Sequence, residues 1–175
     1  MSPLPEYVPL IGLVILAACI DIRQRRIPNW LNGGLLLSGL VRAGAIGGWA
    51  GIGHSLAGVA GGAGAPLILF AIGALGGGDV KLMAGIGAWL GPMPAFTIYV
   101  VQCVVALGLI LVQSLLARRT MALFRNTAVL ASGMAQRGLG GFSRPFTTID
   151  RPLPFAVPTA AATVIVLLSR GWLIG

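Results

Sequence analysis

Acidic side chains are almost missing from this 175-residue chain: Glu6, Asp21, Asp79 and Asp150 are all there are, against twelve Lys and Arg. There is one histidine, His54, which falls among interface-type residues and reads as a surface group rather than a base; no Ser-His arrangement is available. The two cysteines, Cys19 and Cys103, lie in apolar runs without a CxxC pairing. That excludes a disulfide framework and a metal cluster and leaves them as small buried hydrophobes. No metal and no cofactor is expected. Charged residues make up only 9%, while 57% of the chain is hydrophobic and the mean hydropathy is +0.93. A soluble globule of this size would leave much of that apolar surface in water, so the composition points to an integral membrane protein. The net charge of +8 comes without a basic-aromatic platform or zinc-type spacing, which argues against nucleic acid. Arginines flanking membrane spans account for it, since they orient the spans and meet anionic headgroups of the bilayer.

The apolar runs give an all-α polytopic protein with about six transmembrane helices in one domain, residues 1–175. The first covers residues 10–20, extended upstream to Tyr7; Glu6, with no Lys or Arg before the run, argues against a cleaved secretory signal. Arg23, Arg25, Arg26 and Pro28 then turn the chain. Asn29 is expected to N-cap a second helix over residues 30–41, with Trp30 at headgroup depth. Gly47, Gly48 and Trp49 mark the opposite interface. The third span, residues 55–75, carries Gly58 and Gly62 at a spacing that lets backbones approach, and Pro66 as a possible kink site. The fourth, residues 79–90, is stopped by Gly91 and Pro92 and is short or broken: it reaches roughly 17 Å at 1.5 Å per residue, where a crossing takes about 20 residues. Irregular backbone at that depth survives only where protein or water covers it, so a wet pocket near Asp79 is expected. Residues 95–116 form the fifth span and 154–172 the sixth. Between them, about residues 117–151, arginines alternate with apolar residues as in an interfacial amphipathic segment.

Ten of the twelve basic residues then fall on one side, Arg42 and Arg170 on the other. The positive-inside rule puts the N-terminus outside and both Asp21 and Asp79 at the cytoplasmic end. Glu6 is on the outer side and Asp150 lies beside Arg151 in a loop, which leaves Asp21 and Asp79 as the one plausible pair. Two carboxyls can hydrolyse an amide by dividing the labour: the ionised one takes a proton from attacking water, the protonated one donates to the carbonyl oxygen. Close like charges keep both from ionising together. Asp79 at a helix N-terminus is favoured as the anion over Asp21 at a helix C-terminus, but Arg23 and Lys81 nearby leave the assignment open. Gly76, Gly77 and Gly78 would let an extended substrate backbone come close. The competing structural role is a local pair of each acid with its own i+2 base, Asp21 with Arg23 and Asp79 with Lys81, which regular helix geometry disfavours.

The segment Asp21-Ile22-Arg23-Gln24-Arg25-Arg26-Ile27-Pro28-Asn29 resembles the first aspartate motif of the type IV prepilin peptidases, and Gly76-Gly77-Gly78-Asp79-Val80-Lys81-Leu82 their second, the GxGD signature of intramembrane aspartyl proteases. The resemblance implies Asp21 and Asp79 as the catalytic pair, with Gly76, Gly77, Gly78, Lys81, Arg23, Pro28 and Asn29 around them. It implies cleavage of a short basic leader from a prepilin or pseudopilin on the cytoplasmic side of the bacterial inner membrane. The chain lacks the cysteine-rich insertion of larger members and resembles the short form linked to tight-adherence (Flp-type) pili, so N-methyl transfer is not expected. Archaeal preflagellin peptidases are near neighbours by motif. Two other readings stay open on the residues alone: a small transporter or channel component that uses the two acids as a proton or cation relay, and a non-enzymatic assembly partner. Neither the oligomeric state nor the pilin cleaved is written in the sequence.

Overall fold

A computed structural model describes residues 4–72, 75–116 and 156–169. They form five helices: α1 Leu4–Gln24, α2 Asn29–Ala71, α3 Gly77–Leu90, α4 Pro92–Leu116 and α5 Ala156–Ser169. No strand occurs among the described residues. The chain divides into a larger unit, Met1–Val105 with Pro154–Gly175, and a smaller one, Ala106–Leu153. Helices α1, α2, α3 and α5 belong wholly to the larger unit, as does α4 as far as Val105. The arginine-rich segment expected to lie on the membrane surface is outside the described residues.

Two helices, α2 and α4, contain windows long and apolar enough to cross a membrane. The outer surface agrees. Val8, Trp30, Val41, Ile46, Trp49, Ile68, Met93 and Val104 are exposed, while Asp21, Asn32, Ser55, Asp79, Gln102, Thr159 and Thr163 are buried. Apolar outside and polar inside is the arrangement of a protein whose surroundings are hydrocarbon. The two thiols obey the same rule. Cys19 and Cys103 are free and exposed, not buried as the sequence suggested, because an apolar neighbour can here be lipid as well as protein.

The 43-residue α2 is a helical hairpin. Its backbone leaves helical geometry at Gly48, with φ 56° and ψ −141°, a conformation that side chains resist. A Cβ on Gly51 would stand 2.0 Å from the carbonyl oxygen of Ala43, a contact that eight residues of straight helix would put about 12 Å apart. The contacts with α3 fix the directions. Going from Asn32 to Gly39, the first limb meets α3 from Gly78 up to Trp89; going from Ser55 to Phe70, the second meets it from Ala88 back down to Gly77. The limbs therefore run antiparallel, with α3 held against both. The second and third apolar runs of the sequence are these limbs. The break lies at Gly48 and not at Pro66, which sits buried inside regular helix.

Glycine makes this seam possible. A Cβ on Gly58 would lie 2.0 Å from Gly87 O, one on Gly87 2.0 Å from Gly58 O, and one on Gly62 2.4 Å from Met83 O. Backbone thus packs on backbone, the close approach expected of the small-residue spacing. Ser55 Oγ donates to Ala88 O at 2.8 Å, and Trp89 Nε1 donates to Leu35 O at 3.0 Å and Ser38 Oγ at 3.1 Å. Every residue of α3 from Leu82 to Leu90 is buried as a result. At 14 residues, or about 21 Å, α3 is the short helix anticipated. It ends where Gly91 takes φ 83° and donates its N–H to Gly87 O at 2.8 Å.

Candidate active site

Three helix termini converge at one end of the bundle. The last turn of α1 brings Asp21. The helix closes with Arg25 in left-handed backbone, φ 52°, its N–H donated to Asp21 O at 2.8 Å, which is the single-bond αL cap. Asp21 is thereby the fourth residue from the helix end, turned inward and only 7% exposed. Its carboxylate Oδ2 accepts the N–H of Ala156, the first residue of α5, at 3.1 Å. The helix-end argument for dividing acid from base therefore loses its force: Asp21 sits at the C-terminus of α1 and equally against the N-terminus of α5.

Asp79 is the third residue of α3 and 9% exposed. Its N–H donates to Gly76 O, the N-cap carbonyl, at 3.2 Å. A Cβ at residue 76 would lie 3.2 Å from Asp79 Oδ2, tighter than an ordinary contact, so glycine there lets the carboxylate settle. The acid also lies within coulombic reach of Asp21. The fold thus buries both carboxylates at the same end of the bundle.

Neither has an ion-pair partner among the described residues. Lys81, exposed, donates Nζ to Asn29 Oδ1 at 2.9 Å and not to Asp79. Arg23 is exposed. The local i+2 pairs are absent, as helix geometry argued. Asn29 is not the N-cap of α2: Pro28, in extended backbone, holds that place, and Leu31 and Asn32 donate their N–H groups to its carbonyl. This frees the Asn29 side chain for Lys81. Of the three glycines, Gly77 faces the Phe70 ring and Gly78 faces Ile27, so the close approach they permit is to the protein itself; Gly76 alone is left without such a neighbour, its nearest contact being the Asp79 carboxylate.

Two features escaped the sequence reading. Asn32, 4% exposed, donates Nδ2 to Gly78 O at 3.4 Å and so braces the backbone immediately before Asp79, while its Oδ1 is buried without a partner among the described residues. Its spacing of three from Asn29, on one helix face, was the available signal. Beside it lies a cavity of about 280 Å³ lined by Asn29, Asn32, Gly33, Leu36, Lys81 and Ala84. The other feature is the Ala156 N–H, which no local pattern links to Asp21. No group of three His, Cys, Asp or Glu that could hold a metal occurs among the described residues.

Neither a curated protein nor a solved structure matches the chain. A family model does, over residues 8–112, a stretch that holds both aspartates, both limbs of the hairpin and the whole of α3; the chain belongs to the type IV leader peptidase family.

Proposed function

We propose that this membrane peptidase is an aspartyl endopeptidase that removes the basic leader from type IV prepilins of the tight-adherence (Flp) kind, with Asp21 and Asp79 as its catalytic pair. One observation carries the reading: two buried carboxylates from distant parts of the chain meet at one end of the bundle with no base to neutralise them among the described residues. Uncompensated acids in an apolar protein are costly, and function is the usual reason they persist. Family membership favours peptide cleavage over a proton or cation relay.

In the proposed mechanism the carboxyls share one proton. The ionised one removes a proton from water as the water attacks the scissile carbonyl; the protonated one donates to the carbonyl oxygen as the tetrahedral intermediate forms. Collapse of that intermediate breaks the C–N bond and returns the proton to the departing amine. Because Asp21 Oδ2 is held by the Ala156 N–H, that carboxylate keeps one oxygen oriented and the other for chemistry. The reaction stops at peptide hydrolysis, with no methyl transfer to the new N-terminus.

Topology supports a site toward the cytoplasm. The limbs of α2 on either side of Gly48 are about 19 and 23 residues, each close to the length of one crossing, which supports counting them as two of the six passes proposed. Basic-residue bias puts the aspartate end of the bundle at the inner face of the bacterial inner membrane, where a basic leader would be presented.

The test is co-expression with a Flp-type precursor, reading the leader shift on a gel. Wild type is expected to process the precursor, and Asp21→Ala, Asp79→Ala and the two Asn variants to insert without processing it. Near-wild-type cleavage by either Asn variant would remove the dyad mechanism. Inhibitors of serine, cysteine and metal-dependent proteases are expected to leave cleavage intact.

A further inference from the structure

We infer that the cavity between the start of α2 and α3 is the subsite that receives one residue of the precursor chain, its backbone N–H donated to Asn32 Oδ1 and its apolar side chain lying on Leu36 and Ala84. The inference rests on the peptidase reading and adds to it the groups that hold the substrate.

Two independent observations meet here. The cavity, about 280 Å³, has room for one medium side chain with its backbone, and its walls divide by chemistry: Leu36 and Ala84 are apolar, Asn29 and Lys81 are polar at the rim. The second is Asn32 Oδ1, a buried acceptor with no donor among the described residues. An unsatisfied buried acceptor is costly, so a group that supplies an N–H is favoured in binding. The Nδ2 bond to Gly78 O is long at 3.4 Å and the terminal amide torsion of asparagine is soft, so the side chain that lines the cavity has room to adjust to a donor seated there. An acceptor beside an apolar wall fits an extended peptide, which offers a backbone N–H and a side chain at every residue. The position is also apt: Asn32 grips Gly78, the residue before Asp79, so a peptide seated here passes beside the acid.

Gly33 supplies a way to close the cavity without disturbing the packing. A Cβ there would meet nothing within 4 Å, and the same holds for Gly12 on the exposed face of α1, which serves as the reference. The experiment measures KM and kcat for a synthetic peptide spanning a Flp-type leader junction, using purified wild type, Gly33→Leu, Asn32→Leu and Gly12→Leu. Gly33→Leu and Asn32→Leu are expected to raise KM roughly fivefold to tenfold, the size of one lost hydrogen bond or apolar contact, with Gly12→Leu unchanged. A series of peptides N-methylated at successive residues then separates holding from folding. One methylated position is expected to raise KM for wild type and to have no further effect on Asn32→Leu. If wild type leaves the peptide intact, the peptidase reading falls and the subsite with it. If wild type cleaves and both cavity variants keep its KM, or every methylated peptide affects Asn32→Leu as it does wild type, the subsite is overturned while the peptidase reading stands.

Discussion

The two ends of this bundle treat charge in opposite ways. At one end Arg42, near the close of the first α2 limb, pairs with Glu6 of α1 and lies over the rings of Tyr7 and Trp89, 5.4 and 5.6 Å from their centroids. One cation there ties together α1, α2 and α3. At the other end Asp21 and Asp79 are both buried, Asp21 accepts the Ala156 N–H, and Lys81 is occupied with Asn29. The first arrangement lowers the energy of the fold. The second raises it, since buried carboxylates without a neutralising base among the described residues are costly in an apolar protein. The contrast separates residues that serve structure from residues that the structure tolerates for another purpose.

The two ends should therefore answer mutation differently. The largest effect is expected for Asp79→Asn and Asp21→Asn, which should lower leader cleavage by at least about a hundredfold, the scale of lost acid-base catalysis, without a fall in thermal stability. Parallel gel assays and melting curves check both halves. Next is the glycine seam between the ends. Gly58→Leu and Gly87→Leu force side chains into a gap where even a Cβ would stand 2.0 Å from the facing carbonyl oxygen. Each should cost at least about 1–3 kcal/mol and cut the yield of folded protein in detergent. Arg42→Ala should come third, costing about 1 kcal/mol for a partly exposed ion pair with two ring faces, and should leave cleavage per folded molecule unchanged. Smallest is Lys81→Met, which loses an exposed hydrogen bond to Asn29 and should shift stability by less than about 0.5 kcal/mol, read as a melting shift in detergent.

Much of this was legible in the sequence because a membrane makes patterns blunt. A carboxylate in an apolar run stands out, and so does a Gly58/Gly62 spacing; the structure buries the first and packs the second against the backbone of α3. The short α3 could be read from Gly91 and Pro92. What was hidden depended on partners far along the chain. Asn29 looks like an N-cap, yet Pro28 takes the cap and Lys81 takes the asparagine. Asp21 looks like a carboxylate at the wrong end of a helix until Ala156, 135 residues away, brings the right end of another to it. Gly77 and Gly78 read as an opening for substrate, but Phe70 and Ile27 already face them. Asn32 passed unnoticed because a single amide in an apolar helix announces neither its bond to Gly78 nor its spare oxygen.

The meeting of the two acids can be measured in the membrane. In a background of Cys19→Ser and Cys103→Ser, the pair Asp21→Cys with Asp79→Cys is treated in native vesicles with a short, water-soluble bifunctional thiol reagent, and Arg42→Cys with Asp79→Cys is carried as the opposite-end control. The account predicts rapid cross-linking within one chain for the first pair and none for the second. Thiols at 21 and 79 that react singly but never bridge, or that no aqueous reagent reaches, would contradict it.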